Sequence, residues 1–138
     1  MQLTSFTDYS LRTLMYLAER PERLSSVAEI AAYYNISRNH LVKVVHRLAQ
    51  LGYIETVKGK GGGVRIAAGA GQLRLGDVIK ELEPNMHMVE CFDAEHNTCR
   101  ITDACKLKHC LFEGVEAFIR TMNGYTLDHV VRRGGSPF

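Results

Sequence analysis

The sequence predicts a mainly α-helical protein that carries one small β-hairpin near its middle. Apolar residues recur at helical spacing in several segments before and after that point. Residues 53–66 combine β-branched residues with a glycine-rich turn, which is the composition of a hairpin. The 138 residues are 46% hydrophobic and 23% charged, so one globular unit is expected and extensive disorder is excluded.

Two helices are predicted in the first part of the chain. Residues 7–20 keep one face apolar at helical spacing, and Pro21 cannot continue that helix. Ser26 and Glu29 have the spacing of a capping box, in which each side chain accepts a hydrogen bond from the backbone of the other residue. A short second helix is therefore expected over residues 27–34.

A third helix and the hairpin follow after a tight turn at Asn35 and Ile36. Ser37 can cap the third helix and Gly52 can end it. Strands are expected at residues 53–57 and 64–66, around a loop rich in glycine. Three helices, the last two joined by a tight turn, and a hairpin form a winged helix-turn-helix, here over residues 1–67. The apolar face of the third helix consists of Leu41, Val44, Val45, Leu48 and Leu51.

The second half of the chain divides into four segments. A connecting segment contains one short helix that Pro84 ends, and a cysteine-rich stretch without helical periodicity follows it. A long helix is expected from about Thr102, and a last short helix precedes a flexible tail. The predicted segments are 68–85 (connection), 86–104 (cysteine-rich loop), 105–131 (C-terminal helices) and 132–138 (tail).

Positive charge is concentrated in the first half. Residues 1–67 contain nine Lys and Arg against five Asp and Glu, a net charge of +4, whereas residues 68–138 contain eight against ten, a net charge of −2. Within residues 37–67 six basic residues accompany a single acid, Glu55, which gives a local charge of +5. Such a concentration favours a polyanionic partner.

The order of the elements indicates DNA as that partner. The first turn of the third helix offers hydrogen-bonding side chains to base edges, and cations further along it and around the hairpin suit phosphates. The alternatives are an ordinary solvated helix face and glycines that serve only the turn; a P-loop is excluded, since no Gly-Lys-Ser/Thr follows. The candidate DNA-binding residues are Ser37, Arg38, Asn39, His40, Lys43, Lys58, Lys60, Gly62 and Arg65.

Four cysteines lie within 20 residues. Cys91, Cys99, Cys105 and Cys110 are separated by seven, five and four residues, so no C-x2-C pair of the zinc or thioredoxin type is present. Three thiolates on an irregular loop can hold an iron–sulfur cluster, whose fourth ligand would be Cys110, His109 or a carboxylate from elsewhere. Zinc binding and thiols buried merely as small apolar groups are alternatives.

Other patterns concern the class of protein and its location. The chain lacks the ~18-residue apolar run of a membrane span, and Asp8 and Arg12 interrupt any signal-like stretch, so we expect a cytoplasmic protein without membrane contact.

No nucleophile–base pair stands out, so we do not expect an enzyme; an iron–sulfur or thiol enzyme is the alternative. A zinc-stabilised DNA-binding protein without a sensing role is a third hypothesis.

Several segments, taken in order, resemble one bacterial family. They are residues 1–12, residues 36–43, the hairpin residues 58–65, residues 76–84 and the segment 99–107. Together they are similar to the winged-helix repressors related to the iron–sulfur regulator IscR, and among these to the repressors that sense nitric oxide. The resemblance runs from residue 1 to about residue 131.

The resemblance implies a specific function and site. It implies a homodimer, formed through the long C-terminal helix, that represses transcription by binding an inverted repeat in double-stranded DNA and releases it when nitric oxide attacks an iron–sulfur cluster. It implies a [4Fe–4S] rather than a [2Fe–2S] cluster. Cys110 is additional to the pattern, and His109 is the nearest match to the ligand histidine of IscR-like relatives, whose sensing of iron–sulfur status is the alternative function. The implied ligands are Cys91, Cys99, Cys105 and, from the partner subunit, Asp8.

Overall fold

A computed structural model describes residues 1–131; the predicted flexible tail, 132–138, lies outside the described residues. The fold prediction is confirmed, since the described chain is mainly helical with one antiparallel hairpin. Short 3₁₀ turns at Ala70–Gln72, Glu90–Phe92 and Thr102–Ala104 separate longer elements. These elements are α1 (Ser5–Ala18), α2 (Val27–Tyr34), α3 (Arg38–Gln50), β1 (Ile54–Val57), β2 (Gly63–Ile66), α4 (Leu75–Leu82), α5 (Lys106–Met122) and α6 (Leu127–Val130).

The first three helices pack around one apolar core. Leu14 and Leu17 of α1, Ile30 of α2, and Leu41 and Leu48 of α3 are at most 1% exposed. Burial of side chains of this size contributes about 1.5–3 kcal/mol each, so this cluster stabilises the N-terminal half. The apolar face predicted for the third helix is therefore confirmed.

The N-terminal helix differs from the prediction in its bounds. It begins at Ser5 rather than residue 7, because the Thr4 hydroxyl caps it by accepting a hydrogen bond from the backbone of Thr7. It ends at Ala18, before Pro21, rather than at residue 20.

The buried face of α1 is more polar than its apolar pattern indicates. Thr7, Ser10 and Thr13 are fully buried. Ser10 and Thr13 donate hydrogen bonds of 2.7 Å to the carbonyl oxygens of Phe6 and Tyr9, four residues earlier in each case. These bonds satisfy the hydroxyls inside the core, which is why polar residues are tolerated there.

The turn between α2 and α3 follows the predicted pattern. Asn35 adopts a left-handed conformation (φ 53°, ψ 47°) that ends α2, a role in which asparagine is second only to glycine. The Ser37 hydroxyl then accepts a hydrogen bond of 3.2 Å from the backbone N–H of His40 and caps α3. Because these two caps lie close together in the chain, they fix the orientation of α3 relative to α2.

Only half of the predicted capping box at α2 forms. Ser26 accepts a hydrogen bond from the backbone of Glu29, as expected. The Glu29 carboxylate instead accepts a hydrogen bond from the Tyr16 hydroxyl and pairs with Arg23 at 2.6 Å. Glu29 therefore joins α2 to α1 rather than closing its own helix end.

The hairpin is attached to the helices by a third short strand segment. Ser25 and Val64 exchange backbone hydrogen bonds of 2.9 and 2.8 Å. A Cβ atom on the neighbouring Gly63 would lie 2.7 Å from the Ser25 carbonyl oxygen, so glycine is required for this approach. The bridge orients the hairpin relative to α2 and α3.

The long C-terminal helix begins later than predicted. Residues 102–104 form a separate 3₁₀ turn, and α5 starts at Lys106. Cys105 caps it, since its sulfur accepts a hydrogen bond of 3.4 Å from the backbone of Lys108. Along residues 1–131, no helix combines the length and the hydrophobicity needed to cross a membrane.

Candidate DNA-binding surface and cysteine loop

The first turn of α3 presents its polar side chains to solvent. Arg38, Asn39, His40 and Lys43 are all exposed, because the apolar residues of α3 occupy the opposite face against α1 and α2. Ser37 is also exposed, and its hydroxyl serves as the helix cap. This arrangement suits a helix that enters a DNA groove with its N-terminal end.

Most cations of this surface lack a protein counter-charge. Within residues 1–131, none of Arg38, Lys43, Lys58 and Lys60 takes part in an ion pair. Arg65 differs, because it pairs with Glu55 on the opposite strand at 2.8 Å. Four free cations can therefore contact phosphates directly, whereas Arg65 would first have to release Glu55.

The tip of the hairpin requires glycine for steric reasons. A Cβ atom on Gly62 would lie 2.1 Å from the carbonyl oxygen of Val57, far inside van der Waals contact. Gly59 and Gly61 have φ values of 95° and 77°, which favour glycine. The glycines thus shape a tight loop, which leaves Lys58 and Lys60 exposed at its tip.

The exposed side of α1 adjoins this surface. The ring of Tyr9 lies 6.2 Å from the ring of His40, centroid to centroid, and links α1 to α3. The preceding residue, Asp8, is partly exposed and pairs with Arg12 at 2.7 Å. Asp8 therefore lies on α1 next to Tyr9, whose ring contacts α3, the candidate recognition helix.

The cysteines lie where the sequence predicts an irregular loop. All four thiols are free; Cys91, Cys99 and Cys105 are half-buried, whereas Cys110 is exposed on α5. In the single chain, over the residues described, no group of three His, Cys, Asp or Glu side chains is placed to hold a metal ion. The donor chemistry thus fits a thiolate-bound cluster, but the described conformation does not gather the donors around one point.

Cys99 is held by a network of hydrogen bonds. Its backbone N–H donates to the Asn97 side-chain oxygen at 3.0 Å, and its carbonyl accepts a hydrogen bond of 2.8 Å from the Thr102 hydroxyl. The Asn97 amide donates to the same hydroxyl at 2.7 Å. The network fixes the peptide groups on both sides of Cys99, although little of the loop is buried.

Two histidines that lack an evident partner in the sequence have one in the structure. His96 contacts Asp93 at 2.8 Å, and this bond, followed by the backbone N–H of Glu95, lowers the pKa of the Asp93 carboxyl. The His129 ring accepts a hydrogen bond of 2.9 Å from the backbone of Thr126 and completes a capping box at α6. Both histidines are exposed, and the Thr-x-x-His spacing was the signal in the sequence for the second contact.

The exposed helix, the glycine-shaped hairpin and their free cations define a winged-helix DNA-binding protein. The family model of Rrf2, described as iron-dependent transcriptional regulators, matches residues 3–133. The chain belongs to the Rrf2 family.

Relatives with known names agree with this assignment. The chain is 47% identical over 133 residues to the HTH-type transcriptional regulator NsrR of Bacillus subtilis, covering 96% of this chain and 91% of that protein. It is 51% identical over 128 residues to NsrR of Halalkalibacterium halodurans, covering 92% and 88% of the two chains. The protein is thus a DNA-binding transcriptional repressor that is similar in sequence to NsrR.

Solved structures show the same fold. The oxidised form of Staphylococcus aureus CymR aligns with a TM-score of 0.76 at 22% identity, covering 99% of this chain and all of that one. IscR of T. potens aligns with a TM-score of 0.70 at 20% identity, covering 94% and 86%. At these identities the likeness concerns the fold alone.

Proposed function

We propose that this repressor responds to nitric oxide through an iron–sulfur cluster held by the cysteine loop, and that its role is regulatory rather than enzymatic. The observation that carries the proposal is the position of three free thiols on one loop, directly before α5, in a chain with an exposed recognition helix. Its similarity to NsrR supports the choice of signal.

The proposed ligands are Cys91, Cys99 and Cys105, with Asp8 of the partner subunit as the fourth. Asp8 is accessible on α1, and its pair with Arg12 is exposed. Breaking such a pair costs at most about 1 kcal/mol, so Asp8 is free to change partner. A bound [4Fe–4S] cluster would supply iron that reacts with nitric oxide, and a carboxylate, being a harder ligand than thiolate, would hold its iron less firmly.

A homodimer would position two candidate DNA-binding surfaces, one from each subunit, at the two halves of an inverted repeat. Ile101, Leu107 and Phe112, just before and on α5, are 65%, 64% and 54% exposed. A second copy of the chain would cover such apolar side chains, and a two-fold axis matches a palindromic site with half-sites about 34 Å apart. Because Tyr9 follows Asp8 and contacts His40, a change at Asp8 would reach α3 through a single side-chain contact.

The test is DNA release from the anaerobically purified protein on addition of stoichiometric nitric oxide. Visible absorption at about 400 nm, lost together with DNA binding, is the expected result. Serine at position 91, 99 or 105 should abolish the colour, and Cys110→Ser is the matched control that should keep it. Loss of colour in the Cys110 variant alone would overturn the ligand set.

The other outcomes identify the alternatives. A coloured protein that keeps its DNA in nitric oxide would favour a regulator of iron–sulfur status. A colourless protein with tightly bound zinc would leave only the DNA-binding role. Asp8→Ala should still assemble a cluster but respond differently to nitric oxide; an unchanged release of DNA would refute the role of Asp8.

A further inference from the structure

Glu83 joins two parts of the chain that are 79 residues apart. One of its carboxylate oxygens, Oε1, accepts hydrogen bonds from the Thr4 backbone N–H at 2.8 Å and from the Thr4 hydroxyl at 3.0 Å. Glu83 immediately follows α4, and Pro84 and the cysteine loop come next. Thr4 is the cap of α1. The contact therefore connects the entrance of the cysteine loop to the start of α1.

The contact has favourable electrostatics. The N-terminus of a helix carries partial positive charge and backbone N–H groups without partners, so a carboxylate is stabilised there. Glu83 and Thr4 are both half-buried, which limits screening by solvent. Hydrogen bonds that involve an ionised acceptor are stronger than neutral ones.

A short path leads from this contact to the candidate recognition helix. The Thr4 carbonyl accepts the first backbone hydrogen bond of α1, from Asp8 at 3.0 Å. Tyr9 comes next, and its ring contacts His40. A displacement of Thr4 would therefore be transmitted to both the proposed fourth ligand and the DNA-facing surface.

Two further carboxylates anchor α4 as a unit. Asp77, at its first turn, exchanges two hydrogen bonds of 2.9 Å with Asn123 at the end of α5. Glu81, near its last residue, accepts a hydrogen bond from the Tyr53 hydroxyl, just before β1. Helix α4 is thus bonded to α5, to the hairpin and, through Glu83, to α1.

We infer that Glu83 is a positioning residue, which couples the conformation of the cysteine loop to α1 and α3 of the same subunit. The inference deepens the proposed function and rests on it for its biological meaning. It adds a connection within one chain to the connection between subunits proposed for Asp8. It predicts that a change in the loop alters α1 without metal, nitric oxide or DNA.

The test uses the metal-free, full-length chain with Cys110→Ser, so that iodoacetamide modifies only the loop cysteines. With Glu83 intact, alkylation should change hydrogen exchange of the Asp8 amide by at least about threefold. Glu83→Ala should speed that exchange about tenfold before alkylation, the equivalent of about 1.4 kcal/mol of lost hydrogen bonding, and abolish the response. Glu83→Gln, which keeps an acceptor oxygen, should retain the response to alkylation. Glu116→Ala, at an exposed position of α5, is the control and should leave that response unchanged.

Two results would overturn the inference: no response of Asp8 to alkylation when Glu83 is intact, or an equal response in Glu83→Ala. Thr4→Val removes the hydroxyl that donates to Glu83 and should weaken the response of the Asp8 amide to alkylation. This variant keeps the inference testable if the Glu83 variants fail to fold. Nitric-oxide-driven DNA release is measured separately. Its absence in the unchanged protein would refute the proposed function, while the exchange data would still decide the role of Glu83.

Discussion

Replacing Gly76 with alanine tests the contact between α4 and α5. Gly76 is buried in the first turn of α4. A Cβ atom at this position would lie 2.5 Å from the carbonyl oxygen of Ile119 and 2.5 Å from the side-chain oxygen of Asn123. Since ordinary contact begins near 3.4 Å, the two helices would have to separate by about 1 Å. We expect the substitution to lower the free energy of unfolding.

The magnitude follows from three contributions. Forcing an extra methyl group into a close helix contact costs about 1–3 kcal/mol. Separation weakens the two hydrogen bonds between Asp77 and Asn123, worth about 0.5–1.5 kcal/mol each. Alanine favours the helix over glycine by about 1 kcal/mol, which offsets part of the loss. The net expectation is a destabilisation of about 2 kcal/mol.

Urea denaturation followed by circular dichroism measures this effect, at one protein concentration because the chain is proposed to dimerise. Gly114→Ala in α5 is the matched control, since its Cβ atom would meet nothing within 4 Å. It should stabilise the chain by up to about 1 kcal/mol, with light scattering to check that its oligomeric state is unchanged. A Gly76→Ala protein as stable as the unchanged chain would refute the reasoning, because the helices would then separate at no cost.

Three further predictions concern the candidate DNA-binding surface and the helices that hold it in place. Ser37→Ala should lower the free energy of unfolding, measured by urea denaturation, by about 1 kcal/mol because it removes the cap of α3. Ser37→Thr, which keeps a capping hydroxyl, should retain most of that free energy. The Tyr16 hydrogen bond lowers the Glu29 pKa from 4.5, so ionised Glu29 stabilises the fold above about pH 4.5, and this contribution disappears as the pH falls through the lower folded-state pKa. Glu29→Gln should therefore lose less stability than the unchanged chain between about pH 6 and about pH 3. Lys60→Ala should reduce the salt dependence of DNA binding by about one unit in slope; an unchanged slope would place Lys60 away from phosphate.

Local signals in the sequence account for the N-terminal half. The caps at Ser26, Ser37 and Asn35 act over a few residues, and the apolar face of α3 is a strict helical repeat. The tip of the hairpin is predictable because its glycines meet local steric demands, as Gly62 does against Val57. Each of these features depends on neighbours in the chain, which is why spacing alone predicts them.

Features that depend on distant residues could not be predicted in this way. The burial of Thr7 beside the core follows from the packing of α1, and its sequence gives no apolar signal. The start of α5 is a local feature that the sequence still does not signal, because its cap, the Cys105 sulfur, is an unusual capping group. The bond between Glu83 and Thr4 spans 79 residues, and only the folded chain brings the two together.

The cysteine loop shows most clearly why donor residues are predictable while their geometry is not. Between Leu82 and Val115 no residue of the described chain is fully buried, so this segment has no hydrophobic core of its own. Its order comes from local hydrogen bonds such as those around Cys99. The ring contact between Phe92 and Phe112 ties the loop to α5, but no apolar core gathers the thiols, so a bound cluster or a second subunit would have to supply that energy. A segment of low intrinsic stability is also the kind of element that a signal can rearrange, since only a small free energy separates its conformations. The lack of a core in the loop therefore favours a sensing role over a purely structural metal site.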